Sequence, residues 1–66
     1  MDISVSYQGK LQKLRLNPDS RVTDALKAAG INPQMVLVSR KKTIIPDTAR
    51  LEEKDRLEVV KVVSGG

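Results

Sequence analysis

The two glycines at the end of the sequence are the residues best suited to carry chemistry. Gly65 and Gly66 follow a valine-rich segment, and at an average glycine usage of about 7% a terminal pair arises by chance in roughly one chain in 200. Without Cβ atoms, such a tail can enter a narrow slot in a partner enzyme and present the Gly66 carboxylate to the α-phosphate of ATP. We expect residues 64–66 to form a flexible tail, for which a merely frayed end is the simpler alternative.

The remaining residues offer little chemistry of their own. The sequence contains no Cys and no His, which excludes disulfides, thiolate nucleophiles, Cys/His zinc sites and a Ser-His-Asp arrangement. It also contains no phosphate-binding loop. A carboxylate is unreactive until its oxygen becomes a good leaving group. We therefore expect no metal site, no bound cofactor and no catalysis by this chain, so that activation of the tail has to come from a partner.

Size and charge limit the function further. The 66 residues suffice for one small domain, and the net charge of +4 is compatible with nucleic acid or an acidic protein as partner. The basic residues form only one run, Arg40-Lys41-Lys42. This run is most simply a solvated turn, and alternatively a basic contact turn for an acidic partner. Since Tyr7 is the only aromatic residue, base stacking would be weak, so nucleic acid is the less favoured partner.

Hydrophobic periodicity predicts one helix and five strands in the order β-β-α-β-β-β. No segment is apolar enough to span a membrane, so we expect a cytoplasmic protein that makes no membrane contact. We expect oxygen-bearing side chains within residues 17–20 to cap the helix at its start. Gly30 should end it in the left-handed region, with Ile31 packed on Leu26. The predicted strands cover residues 1–7, 11–16, 35–39, 43–45 and 56–63.

The same alternation predicts a candidate docking surface. If Leu57 and Val59 face the core with the valines of the third strand, then Leu37, Val60 and Val62 face outward on the other side of the sheet. Leu11 breaks the alternation of its own strand and is predicted to join them. The alternative is that these are single exposed aliphatic residues without a role, which are common on protein surfaces.

Several segments resemble the ubiquitin-like sulfur carriers, a family that includes ThiS, MoaD, Urm and the small archaeal modifier proteins. The resemblance covers essentially the whole chain, which would form one domain over residues 1–63. The segments that carry it are Ile44-Ile45-Pro46-Asp47-Thr48, Leu51-Glu52-Glu53-Lys54-Asp55-Arg56-Leu57-Glu58-Val59 and Val62-Val63-Ser64-Gly65-Gly66. The resemblance implies an α+β fold of the β-grasp (ubiquitin-like) type, with a mixed sheet packed on one helix.

The resemblance also implies a function for the tail. An E1-like adenylating enzyme would activate the Gly66 carboxylate with ATP. The acyl-adenylate would then become a thiocarboxylate, with a sulfurtransferase and a sulfur-accepting synthase as further partners, or be joined to lysines of target proteins. The sulfur would serve thiamin, molybdopterin or thiolated tRNA, between which the sequence does not choose. The alternatives are a stand-alone RNA-binding module and a structural interaction module with the same fold.

Two turns depart from the pattern of this family. Lys41-Lys42 stands where members commonly carry Asn-Gly, and Glu53-Lys54-Asp55 stands where they carry Asp-Gly-Asp. If the backbone keeps positive φ at these positions, Lys42 and Lys54 carry local strain of order 1 kcal/mol each.

Overall fold

The computed structural model describes residues 1–62, so the expected tail at residues 64–66 and the predicted strand end at Val63 lie outside the described residues. The elements follow the predicted order, with one additional turn of 3₁₀ helix at Pro33–Met35. They are β1 (Asp2–Tyr7), β2 (Lys10–Arg15), α1 (Val22–Ala28), β3 (Val36–Arg40), β4 (Thr43–Ile45) and β5 (Arg56–Lys61).

The five strands form one mixed sheet in the order β2-β1-β5-β3-β4. The central strand, β5, runs parallel to its neighbour β1, with Val5 opposite Leu57. All other neighbours are antiparallel. The sheet thus places the first and last strands of the chain side by side, and α1 lies in the connection between them.

The third strand begins at Val36 and extends to Arg40, one residue later at each end than predicted. Met35 belongs instead to the 3₁₀ turn. Proline at the first position of that turn suits a helical start, and the side chain of Asn32 accepts a hydrogen bond from the Gln34 N–H at 3.0 Å. This local capping competes successfully with strand formation at Met35.

The core lies between α1 and one face of the sheet. Strand residues at alternating positions are buried there, as the period of two predicted. On the helix the buried residues recur at three- and four-residue spacing, which gives an apolar stripe. The core consists of Ile3, Val5, Val22, Ala25, Leu26, Ile31, Val36, Val38, Leu51, Leu57 and Val59.

The start of α1 differs from the expectation of a cap within residues 17–20. The N-cap residue is Arg21, and its N–H donates to the carboxylate of Asp24 at 2.9 Å. Ser20 is buried, its N–H donates to the Asn17 carbonyl, and its own carbonyl accepts from the Leu51 N–H at 3.1 Å. These backbone bonds fix Ser20 outside the helix. The helix start is therefore stabilised by the carboxylate of Asp24, in the first turn, and not by a side chain of residues 17–20.

The end of α1 confirms the predicted Schellman motif. Gly30 has φ of 77°, its N–H donates to the Lys27 carbonyl at 3.1 Å, and the Ile31 N–H donates to the Leu26 carbonyl at 2.8 Å. Ile31 and Leu26 are both buried in the core. The glycine at this position lets the chain reverse and return Ile31 to the core.

Among residues 1–62, four residues other than glycine adopt positive φ, all of them in turns. Gln8 begins the two-residue loop between β1 and β2, with φ of 51°. Lys41 and Lys42 form the loop between β3 and β4, with φ of 51° and 66°, and Lys54 has φ of 64°. Two-residue hairpin loops require this geometry, because it matches the twist of the flanking strands. The expected strain at Lys42 therefore belongs to the hairpin between β3 and β4, where Lys41 shares it, and Lys54 has the expected positive φ in the turn before β5.

We predict that Lys42→Gly raises the free energy of unfolding by about 0.5 to 1 kcal/mol, because glycine adopts positive φ without a Cβ clash. Lys13→Gly, at an exposed position of β2, is the matched control and should lower it by about the same amount. Urea denaturation of the three proteins measures both changes. A loss of stability in Lys42→Gly would contradict the assignment of strain to this loop.

Candidate functional site

The face of the sheet opposite α1 carries a group of exposed aliphatic side chains. Leu37 on β3 and Val60 on β5 are directly opposite each other, and they are 48% and 62% exposed. Cross-strand neighbours on one face have their Cβ atoms about 5 Å apart. The predicted outward orientation of Leu37 and Val60 is therefore observed, and the two side chains are brought together.

Three further residues extend this pair. The Val62 N–H donates to the Met35 carbonyl at 2.9 Å, which continues the antiparallel pairing one step beyond the ends of β3 and β5. On the other side, Ile44 pairs with Ser39, two residues from Leu37 on the same face of β3. All three side chains are exposed. We call the group the apolar patch; it consists of Met35, Leu37, Ile44, Val60 and Val62.

Leu11 lies on the same face of the sheet but away from the apolar patch. It is opposite Ser6 on β1, and Ser6 is opposite Glu58 on β5. Two polar residues therefore separate Leu11 from the apolar side chains of β5 and β3. The structure brings Leu37, Val60 and Val62 together, but it leaves Leu11 exposed by 52% on the edge strand.

The sequence prediction of this surface omitted Met35 and Ile44. The signal for Ile44 was present, since Ile45 packs against the core and its neighbour in an extended strand must point to the other face. Met35 was predicted to start β3, and since it lies two residues before Leu37, the strand alternation also places it on the outward face. Only the pairing of β3 with both β4 and β5 shows that these residues adjoin Leu37.

The basic run Arg40-Lys41-Lys42 divides into two parts. The guanidinium of Arg40 points toward the protein, where it donates to the Asp55 carboxylate and to the Arg50 carbonyl, both at 2.7 Å. The Asp55 side chain, only 7% exposed, also accepts from the Glu52 N–H at 2.8 Å. Arg40 thus connects the end of β3 to the turn before β5. Lys41 and Lys42 are exposed at the tip of the hairpin.

The described residues provide no group of three or more acidic residues placed to hold a metal ion. Over the same range, residues 1–62, no helix has the length and hydropathy of a membrane span. What this surface offers is an exposed aliphatic group on one face of the sheet, with β5 leading from it toward Gly65 and Gly66.

Comparison with protein families identifies the chain. The model of the ThiS family matches residues 5–66, which include both glycines of the tail. The chain belongs to the ThiS family. The family assignment confirms the resemblance to the ubiquitin-like sulfur carriers. It also confirms the expectation that the chain is a small carrier or modifier protein and not an enzyme. No protein of curated function matches this chain significantly in sequence.

Solved structures with similar folds include SAMP1 from Haloferax volcanii. It has a TM-score of 0.78 and 18% sequence identity, with both chains covered completely. A second match is ATBAG1 in a complex with HSP70, with a TM-score of 0.75 and 11% identity. This match covers 94% of the present chain but only 40% of ATBAG1. At these identities both likenesses establish the fold alone, and they confirm the predicted β-grasp architecture.

We predict that Arg40→Ala lowers the free energy of unfolding by about 2 kcal/mol, because it leaves the nearly buried Asp55 carboxylate without its cation. Lys41→Ala, the neighbouring control, should change it by less than about 0.5 kcal/mol. Thermal and urea denaturation of both variants measure the difference. Equal effects of the two substitutions would show that Arg40 has no structural role.

Proposed function

We propose that this member of the ThiS family works through activation of its Gly66 carboxylate by an E1-like adenylating enzyme. The observation that supports this most directly is the family match, which extends through the Val-Ser-Gly-Gly segment. The chain has no thiol and no phosphate-binding loop of its own. A partner must therefore supply ATP and the site in which the carboxylate becomes reactive.

The proposed chemistry has two steps. In the first, an oxygen of the Gly66 carboxylate attacks the α-phosphate of ATP and expels pyrophosphate, which gives an acyl-adenylate. In the second, a nucleophile attacks the carbonyl carbon and expels AMP. When hydrosulfide (HS⁻) supplied by a sulfurtransferase is the nucleophile, it loses its proton and leaves a thiocarboxylate, which a sulfur-accepting synthase consumes. A lysine amine of a target protein leaves an isopeptide bond instead.

The apolar patch is the proposed docking surface for the activating enzyme. Val60 and Val62 lie on the segment that leads directly to the tail, and Gly66 is four residues beyond Val62. Even fully extended, four residues span at most about 14 Å. A partner seated on the patch would therefore have the carboxylate within reach of a slot in the same protein.

The exposed loop at Lys41 and Lys42 is proposed to contribute at the border of this interface. It follows β3, the strand that carries Leu37, and both lysines are exposed. Charges at the rim of an interface mainly raise the association rate with an oppositely charged partner. Arg40 donates to the Asp55 carboxylate, so we propose that it stabilises the loop and does not contact the partner. A cytoplasmic location suits this function, because ATP is available there.

We predict that deletion of Gly66 abolishes ATP–pyrophosphate exchange with the cognate E1-like enzyme, because the reacting carboxylate is then misplaced. The denaturation midpoint should not change, since Val59 is the last core residue within residues 1–62 and Gly66 has no side chain to bury. Ser64→Ala keeps the chain length and serves as the control. Exchange at the full rate after deletion of Gly66 would refute the proposed activation.

We predict that Leu37→Asp reduces kcat/KM for the same exchange reaction by about tenfold or more, because it places a charge in the centre of the apolar patch. Leu11→Asp is the matched control: the two leucines are similarly exposed on the same face, but Leu11 lies outside the patch. It should change kcat/KM by less than about threefold. Equal losses in both variants would move the docking surface away from β3 and β5.

A further inference from the structure

The sheet has two edges, and they differ in what they offer to another chain. On one side, β4 has only three residues and is followed at once by Pro46. On the other side, β2 has six residues, and its partner in the described sheet is β1 alone. Short edge strands next to proline resist pairing with a further strand, whereas longer ones accept it. The edge at β2 is therefore the one open to an added strand.

The register of the hairpin shows which backbone groups of β2 are free. The two-residue loop makes Tyr7 and Lys10 a hydrogen-bonded pair, so the bonded positions of β2 continue at every second residue. The reciprocal bonds between Leu16 and Met1, both 2.8 Å, follow the same parity. The N–H and C=O groups of the intervening residues point away from β1; these residues are Leu11, Lys13 and Arg15.

By the same reasoning, β4 leaves only the backbone groups of Ile44 free. Arg40 and Thr43 flank a two-residue loop and form a bonded pair, as do Val38 and Ile45. The β2 edge thus offers three residues, with six backbone groups, against one residue on β4. This difference favours β2 as the site where an extended peptide could bind through its main chain.

The side chains of β2 favour an acidic peptide. The strand contains Lys10, Lys13 and Arg15 and no acidic residue. Arg15 is paired with Asp2 at 3.2 Å, whereas no acid of the described residues lies within ion-pair distance of Lys10 or Lys13. Two copies of this edge would bring like charges together, which disfavours pairing with a second copy. An acidic strand would experience attraction at the same positions.

A small cavity lies beside this edge on the side that faces the helix. It has a volume of about 120 Å³ and lies between the first hairpin and the end of α1. A cavity of this size has room for one small aliphatic side chain. Its lining includes Tyr7, Lys10, Gln12, Ala29 and Ile31. An added strand has every second side chain on this face of the sheet, so one of them would lie above the cavity.

From these observations we infer that the β2 edge is a second binding site, which takes an extended acidic segment of another protein as a sixth strand. The main chain of the segment bonds to Leu11, Lys13 and Arg15. Its acidic side chains lie on the outer face beside Lys13, and an aliphatic side chain on the other face covers the cavity. The exposed Leu11, which the apolar patch does not include, lies on this same outer face and contacts the methylene groups of the acidic side chains.

This site is independent of the proposed activation at Gly66. In the sheet order, β1 separates β2 from β5, and the apolar patch lies on β5 and the strands beyond it. Strands are about 4.8 Å apart, so the two sites occupy opposite halves of the sheet. One protein could hold the carrier by its edge while another engages the apolar patch and the tail.

The test uses the full chain and a blocked eight-residue peptide that alternates valine and glutamate. In the free protein, the amide hydrogens of Leu11, Lys13 and Arg15 should exchange rapidly, and those of Gln12 and Leu14 slowly. Addition of the peptide should slow exchange at Leu11 and Lys13 by about tenfold or more at saturation. A peptide with lysine in place of glutamate should give no protection.

Modified peptides and variants separate main-chain bonding from charge. N-methylation of one set of alternate peptide amides should abolish binding, and N-methylation of the other set should preserve it, because only alternate amides face β2. Lys13→Ala should weaken binding by up to about fivefold, as expected for one exposed charge pair. Lys13→Pro should weaken it by a further tenfold or so, because it also removes the free N–H. Denaturation curves verify that both variants fold.

Several results would overturn the inference. If the peptide slows amide exchange only at Leu37 and Val60, it binds to the apolar patch instead. Equal binding of the lysine peptide would remove the acidic specificity, and equal effects of the two N-methylated sets would exclude strand addition. Protection at Leu11 and Lys13 that rises with protein concentration alone would identify a second copy as the occupant. None of these results depends on the tail, so the activation of Gly66 is tested separately.

Discussion

A single short helix packs on a five-stranded sheet, and the other surfaces of the molecule follow from this mismatch in size. Seven helical residues extend about 10 Å, whereas five strands at about 4.8 Å spacing form a sheet about 19 Å wide. The helix can bury the central strands on one face only. The opposite face and the β2 edge remain uncovered, and these are the surfaces that carry the apolar patch and the free backbone groups.

The central strand of this small sheet, β5, pairs with β1 in parallel. Val5 and Leu57, among the most deeply buried residues, face each other across this pair. The strand that leads toward the tail is therefore held on both sides, by β1 and by β3. This support on both sides suits the proposed activation, in which a partner enzyme would bind the residues that follow β5.

The turns show where the fold accepts a local cost. Lys41, Lys42 and Lys54 adopt positive φ although glycine or asparagine would do so more easily. The Arg40 guanidinium and the Asp55 carboxylate connect the two regions in which these lysines lie. The surrounding contacts thus hold conformations that the lysines would not prefer by themselves.

The sequence alone determined the order of elements, the inward and outward alternation of Leu57, Val59 and Val60, and the Schellman end at Gly30. These features depend on neighbours within a few residues, where backbone geometry and side-chain period decide. The helix start, the inward turn of Arg40 and the separation of Leu11 from the apolar patch depend on strands that meet only in the folded sheet. The tertiary structure decided them, because pairing across the sheet brings together residues that no local pattern relates.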